Sequence, residues 1–317
     1  MRSDDKVPDT SEERCDDAMA VLRTVEPLLA AFPPPANWAQ SRILERSSCD
    51  QPGILPAGGG AGVDVFVIDT GVSDPGFFGP RLVPGFSLVA GDPDGRMDTD
   101  GHGTEIASIA AGPVVGIADA ATVIPVRFAS AISNGSVPSL VQGIRWVTAQ
   151  YSKRGRPAVA LLCFDFPADP MLDAELRASI QAGVPYVVAA GNGGVDAGLR
   201  SPARVSEAIT VGATMIGPSC AADERWSSAA GGGSNWGPSL KLFAPGMGVL
   251  TTLPSGASNN VDGTSAAAAI VAGVAARYLQ VTPSSTPAQV TQHLIARAST
   301  SPIIGAQGAP QLTVYAL

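Results

Sequence analysis

The sequence predicts an α/β protein with a mostly parallel central sheet, on three observations. Short apolar runs alternate along the chain with segments of helical periodicity. The runs 63–69, 158–166 and 184–190 are apolar almost without a break, as strands covered on both faces are. Two of them end in glycine-bearing turns, Thr70-Gly71 and Gly191-Asn192-Gly193-Gly194. A chain of 317 residues with 45% hydrophobic content is long enough for one large core and a small appendage. Its 36 glycines and 27 prolines lie between apolar runs, which marks tight turns rather than disorder.

Taken in order, residues 1–9 are polar and loose. Thr10 and Glu13 then form a capping box. Ala18, Val21, Leu22, Val25, Leu28 and Leu29 follow at helical spacing; Pro27 bends that helix and Pro33-Pro34-Pro35 end it. Residues 1–34 are therefore expected to form an N-terminal helical extension covering part of the core, and 35–317 the main domain. A short helix is expected over 37–48, a loop over 50–62, a buried strand over 63–69 and a turn-rich stretch over 72–100. Asp100-Gly101-His102-Gly103-Thr104 opens a helix of small residues, and strand 121–128 follows. Helix 137–151 carries Leu140, Val141, Ile144 and Val147 on one face. Strand 158–166, helix 172–182 and strand 184–190 come next, then short strands at 208–213 and 241–244 around a Gly/Ser-rich loop. Gly263-Thr264-Ser265 opens a second small-residue helix, and a last helix over 287–298 starts from a Thr286 cap.

Composition excludes several functions. Net charge is −8 and no basic stripe occurs, so nucleic acid is not an expected partner. The apolar run 266–276 is too short and too poor in large residues to span a bilayer, so no membrane is expected either. GGGAGV (58–63) precedes a strand instead of following one, the wrong context for a dinucleotide fingerprint. Cys15, Cys49, Cys163 and Cys220 form no CxxC pair and have no histidine at zinc spacing; their even number permits two disulfides without requiring them. The first twenty residues are charged, with no positively flanked apolar segment. A cytoplasmic location with free thiols is thus expected, or a secreted one if a leader has been removed.

Four polar side chains stand at element ends: Asp69, His102, Asn192 and Ser265. Asp69 is at the carboxyl tip of a central strand, the edge where open α/β sheets bind ligands. Ser265 is where a loop enters a buried helix, whose first N–H groups have no internal partner and suit a developing anion. A plain helix cap is the alternative role for Thr264 or Ser265. Of the two histidines, His293 lies in the C-terminal helix without such a setting, which leaves His102 as the candidate base.

The segments VFVIDTGV (65–72), DGHGTEIASIAAG (100–112), VVAAGNGG (187–194), SNWGPSLKLFAPG (234–246) and DGTSAAAAIVAGVAA (262–276) resemble, in order, the motifs of the subtilisin-like serine peptidases, or subtilases. NWAQSRI (37–43) is similar to the mature start of their proteinase K-like branch. The resemblance covers the chain from about residue 35 to its end. It implies a three-layer subtilisin-like sandwich and serine endopeptidase activity on polypeptides, with Ser265 as nucleophile, His102 as base, Asp69 as orienter and Asn192 as oxyanion donor. It also implies that Leu162, Cys163, Phe164, Asp165, Gly191 and Gly193 bind substrate. Oligomeric state is not set by any of this.

Departures accompany the resemblance. Ala266-Ala267-Ala268-Ala269 replaces the family's Met-Ala-x-Pro, and Glu105 follows the histidine motif's threonine. The family's substrate strand commonly reads Asn-x-Ser-Leu-Gly; here it reads Leu161-Leu162-Cys163-Phe164-Asp165. A carboxylate at 165 either attracts a basic side chain or blocks the pocket, and the second outcome suits a binding module that has kept the fold. Calcium is frequent in the family, but Met215 stands where an acidic ligand is usual and the acidic loop 92–100 reads as solvated. No metal or cofactor is predicted.

Overall fold

The computed structural model describes residues 38–44, 55–74, 76–130, 135–216, 223–227, 232–300 and 302–316. The expected extension over 1–34 lies outside them, as do Cys15, Cys49 and Cys220.

Strand β1 (Asp64–Asp69) is the centre of the sheet. It pairs in parallel with β3 (Thr122–Arg127) on one side and β4 (Ala158–Leu162) on the other. The edge strand β2 (Phe86–Ser87) pairs with β3. Beyond β4 come β6 (Tyr186–Ala189) and β8 (Ile209–Ile216), both parallel, with β10 (Leu242–Pro245) branching from β8. The far edge turns antiparallel: β9 (Asp223–Arg225) runs against β8 and carries β13 (Ile303–Ile304). The sheet is mostly parallel, as the apolar runs require.

Successive residues of each central strand face opposite sides, and both sides are covered. Val65, Val67, Val159 and Leu161 join one core cluster; Phe66, Ile68, Ala160 and Leu162 join the other. The first cluster is closed by α2 (His102–Ala111) and α5 (Thr264–Val281). The second is closed by α3 (Val137–Arg154) and α4 (Pro170–Gln181). This is the three-layer sandwich. The short α1 (Trp38–Ile43) packs at the side of the first cluster through Ala39 and Ile43.

Local chemistry sets the helix ends. Ser136 and Ser139 form a capping box at the start of α3, and Thr286 with Gln289 does so for α6 (Pro287–Arg297). Helix α4 begins two residues before the expected start, because Asp169 accepts from Met171 and Leu172 N–H and Pro170 fits the first turn. Helix α5 has 18 residues, longer than the apolar run suggested. By length and composition it is long enough to cross a membrane, yet 78% of it is buried, and it serves as a core helix. Its small side chains let it lie close to the sheet and to α2.

The expected strand 158–166 is shorter. β4 ends at Leu162, and Phe166–Pro167 (β5) pairs antiparallel with Arg200–Ser201 (β7) outside the main sheet. The register shows why this matters. Ile68 is the last β1 residue opposite β4, whereas Asp69 is still paired with Arg127 of β3. β1 and β4 therefore part after Ile68 and Leu162, and a crevice opens at the carboxyl edge where the strand order reverses. The hairpin of β11 (Val249–Thr252) and β12 (Ser258–Val261), not expected from sequence, leads into α5.

Candidate active site

Asp69 continues the alternation of Val65 and Val67, so its side chain points to the α2 side of the sheet. It is buried, and its Oδ1 accepts the Thr70 backbone N–H at 2.8 Å and His102 Nδ1 at 2.7 Å. An ionised carboxylate can only accept, so Nδ1 carries the proton and neutral His102 keeps its Nε2 lone pair free. Asp69 Oδ2 is buried without a hydrogen-bond partner among the described residues. That leaves the imidazole as the principal site that answers the carboxylate's charge.

His102 is the first residue of α2, and a carboxylate that sequence reading passed over puts it there. Asp98 Oδ1 accepts from Thr70 Oγ1 at 2.9 Å and from Gly101 N–H at 2.9 Å. Its Oδ2 accepts from Thr104 N–H at 2.9 Å and Thr104 Oγ1 at 2.6 Å. One buried acid thus satisfies free N–H groups at the helix start and ties the β1 exit to the first turn of α2. Close approach needs Gly103: a Cβ there would lie 2.1 Å from the Gly71 carbonyl oxygen.

Burial works against the charged form of His102. The Asp69 carboxylate and its hydrogen bond outweigh it, Asp100 and Glu105 add to the same field, and the imidazole pKa is pushed up to about 9. Glu105 is itself held, accepting from Asn259 Nδ2 of the hairpin at 2.7 Å.

Ser265 is the second residue of α5 and is part-exposed. The helix is preceded by Gly263 at φ +137°, and neither Thr264 nor Ser265 caps it with a side chain. Thr264 instead gives its N–H and its hydroxyl to Asn192 Oδ1, at 2.9 and 2.8 Å. The exposed Asn192 follows the β6 exit and is thereby fixed beside the start of α5, with its Nδ2 left to donate. The Asn192 carboxamide also explains Gly263, where a Cβ would stand 3.2 Å from Nδ2.

Residues 163–165 join these two halves. Cys163 Sγ lies 3.6 Å from the Ser265 carbonyl oxygen, and the Phe164 ring stands edge-on to His102 with centroids 5.8 Å apart. Asp69 thus meets His102 directly, Asn192 meets Thr264 beside Ser265, and Cys163 and Phe164 lie between the two pairs. The substrate-binding set needs correction. Leu162 is wholly buried in the second core cluster, because alternation turns it away from α5, and it has no surface to offer. Cys163 is a buried free thiol, and burial pushes its pKa well up. Phe164, Asp165 and Gly193 retain exposed surface, whereas Gly191 is buried with its N–H donating to Thr264 Oγ1. Sequence reading also missed Arg200, which pairs with Asp165, and Asn235, which braces the 191–195 turn through Gly193 and Val195 N–H.

The acidic loop 92–100 is not simply solvated as expected, since Asp92 and Asp98 are buried. Asp92 accepts from Gly95 N–H and the buried Arg127, Asp94 pairs with Arg96, and Asp98 is occupied as described. His293 stacks on Tyr278, with centroids 3.8 Å apart.

Comparison with known proteins agrees with the fold. The chain is 33% identical over its whole length to alkaline serine exoprotease A of Vibrio alginolyticus, covering 56% of that protein. It is 38% identical over 89% of its length to an extracellular serine proteinase of a Thermus species, covering 66% of it. The chain therefore spans less than two thirds of each relative. A crystal structure of a cold adapted subtilisin-like serine proteinase superposes with a TM-score of 0.81 at 35% identity, covering 88% of this chain and 98% of that one. The fold is subtilisin-like.

These findings correct the expected cytoplasmic location, since the Thermus relative is by name an extracellular enzyme. A leader cleaved from a secreted protein leaves no trace in what remains, so the residues 1–20 were no guide to compartment. Among the described residues Cys163 is a free thiol; Cys15, Cys49 and Cys220 lie outside them. Residues 60–312 match the Subtilase family, and the chain belongs to it.

Proposed function

We propose that this protein is a serine endopeptidase in which Ser265 attacks the scissile carbonyl of a polypeptide. His102 Nε2 takes the serine proton and returns it to the leaving amine. Asp69 holds the imidazole by Nδ1 and stabilises its charged form. The Asn192 amide and the Ser265 backbone N–H donate to the oxyanion. One observation carries the reading: the 2.7 Å contact of His102 Nδ1 with a buried carboxylate, at the crevice that Asn192 and the start of α5 also border. Family membership and the names of the relatives support it.

A second reading, a binding module with a closed pocket, is favoured by the charged pair Asp165–Arg200 beside the crevice. A fluorophosphonate probe separates the two. Labelling of the wild type that is lost in Ser265→Ala supports the peptidase; absence of labelling on folded wild type supports the binding module.

A further inference from the structure

Past Leu162 the chain runs along the crevice wall, and Asp165 is its only acid between Cys163 and Pro167. Asp165 Oδ2 accepts from Arg200 Nε at 2.5 Å, with both side chains about 30% exposed. The pair spans a small ladder. Asp165 immediately precedes β5, Arg200 begins β7, and Phe166 faces Ser201 across them. Ser201 is fixed in turn by its hydroxyl, which donates to the buried Asp173 at 2.7 Å. The pair is therefore mounted on anchored backbone.

Its position is set by two neighbours. On one side Phe164, the preceding residue, touches the His102 ring. On the other, a Cβ at Gly191 would stand 3.0 Å from Asp165 Oδ2, and Gly191 immediately precedes Asn192. Asp165 thus occupies space between the exits of β4 and β6, one residue from the crevice groups on each side. On the peptidase reading, a substrate carbonyl held between Ser265 and Asn192 brings its flanking acyl-side residue beside this wall.

We propose, resting on the peptidase reading above, that the Asp165–Arg200 ion pair determines specificity by confining the acyl-side residue to small uncharged side chains. Two physical effects act together. The pair takes up volume that a large side chain needs. Its charges also answer each other, so a basic residue must displace Arg200 and an acidic one must displace Asp165, each leaving a partly desolvated charge without its partner.

The test uses four peptide p-nitroanilides that differ only in the last residue, Ala, Phe, Arg or Glu. Their kcat/KM is measured with wild type, Arg200→Ala, Asp165→Asn and the double variant Asp165→Gly/Arg200→Ala. Active sites are counted with the fluorophosphonate probe, so that rates refer to folded, competent enzyme. Wild type is expected to prefer Ala over the other three by ~10-fold or more. Relative to Ala, Arg200→Ala should gain ~10-fold on Arg, Asp165→Asn a similar factor on Glu, and the double variant on Phe. The near-isosteric Asp165→Asn keeps the test decisive if Arg200→Ala does not fold. A wild type that prefers Phe, Arg or Glu overturns the proposal, as do ratios unchanged in every labelled variant. Folded wild type that the probe does not label overturns the peptidase reading itself, and the proposal with it.

Discussion

Thr264 donates twice to one atom, giving its backbone N–H and its hydroxyl to Asn192 Oδ1 at 2.9 and 2.8 Å. Both bonds take the amide oxygen, so the Asn192 carboxamide is locked with its nitrogen outward. Asn192→Ala should lower kcat by ~100 to 1,000-fold with little change in KM. Thr264→Val keeps the N–H bond but loses both the hydroxyl's bond to Asn192 and the acceptor of the Gly191 N–H, so a loss of roughly tenfold or more in kcat is expected. Steady-state kinetics on one peptide substrate measures both. Equal activity of Asn192→Ala and wild type removes Asn192 from the oxyanion site.

The pKa of His102 near 9 places the activity profile. The base must be neutral to accept the serine proton, so kcat/KM should rise with pH, with its midpoint displaced from the ordinary 6.5 toward 9. Asp69→Asn removes the main raising influence. It should move the midpoint down and lower kcat by ~10,000-fold. A profile already flat at pH 7 contradicts the assignment.

Stability responds to pH in the opposite sense. A histidine whose pKa is raised on folding stabilises the native state fully below its unfolded pKa, near 6.5. That contribution fades as pH climbs through about 9. The contribution of the Asp69–His102 pair should therefore be present at pH 6 and largely gone at pH 10. Chemical denaturation of wild type and His102→Ala at both pH values reads it as a difference that shrinks at alkaline pH.

Asp98 is a positioning residue, since it acts on the ends of β1 and α2 rather than on substrate. Asp98→Ala leaves the Thr70 hydroxyl and the Thr104 N–H without their acceptor and should cost about 2–4 kcal/mol of stability. In the folded fraction kcat should fall while KM changes little, because His102 loses its fixed approach to Asp69. A variant less stable but of normal kcat assigns Asp98 to the fold alone.

Arg42 on α1 meets Asp223 on β9 at 2.6 Å, both buried, and Thr313 Oγ1 donates to the same carboxylate. Arg42→Ala leaves a buried charge without its cation, and a loss of about 3–5 kcal/mol is expected. The pair is remote from the crevice groups, so the rate per labelled active site should remain that of the wild type. Denaturant titration together with probe counting checks both halves.

The sequence by itself determined the sandwich and its chemical parts. Unbroken apolar runs read as strands covered on both faces and the small-sided α5 as a buried helix, which gives an α/β fold with a mostly parallel sheet; the three layers were implied by the motif resemblance. Asp69, His102, Asn192 and Ser265 stood out because each lies at an element boundary near a glycine, and the motif resemblance gave them their expected roles. Tertiary structure decided which side chains face one another. Leu162 and Cys163 are neighbours in sequence, yet alternation buries one under α3 and α4 and turns the other to Ser265. Arg200 finds Asp165 only because β5 and β7 pair outside the main sheet, across a separation of 35 residues. Such partnerships are set by where strands part and how loops close, and no periodicity along the chain encodes them.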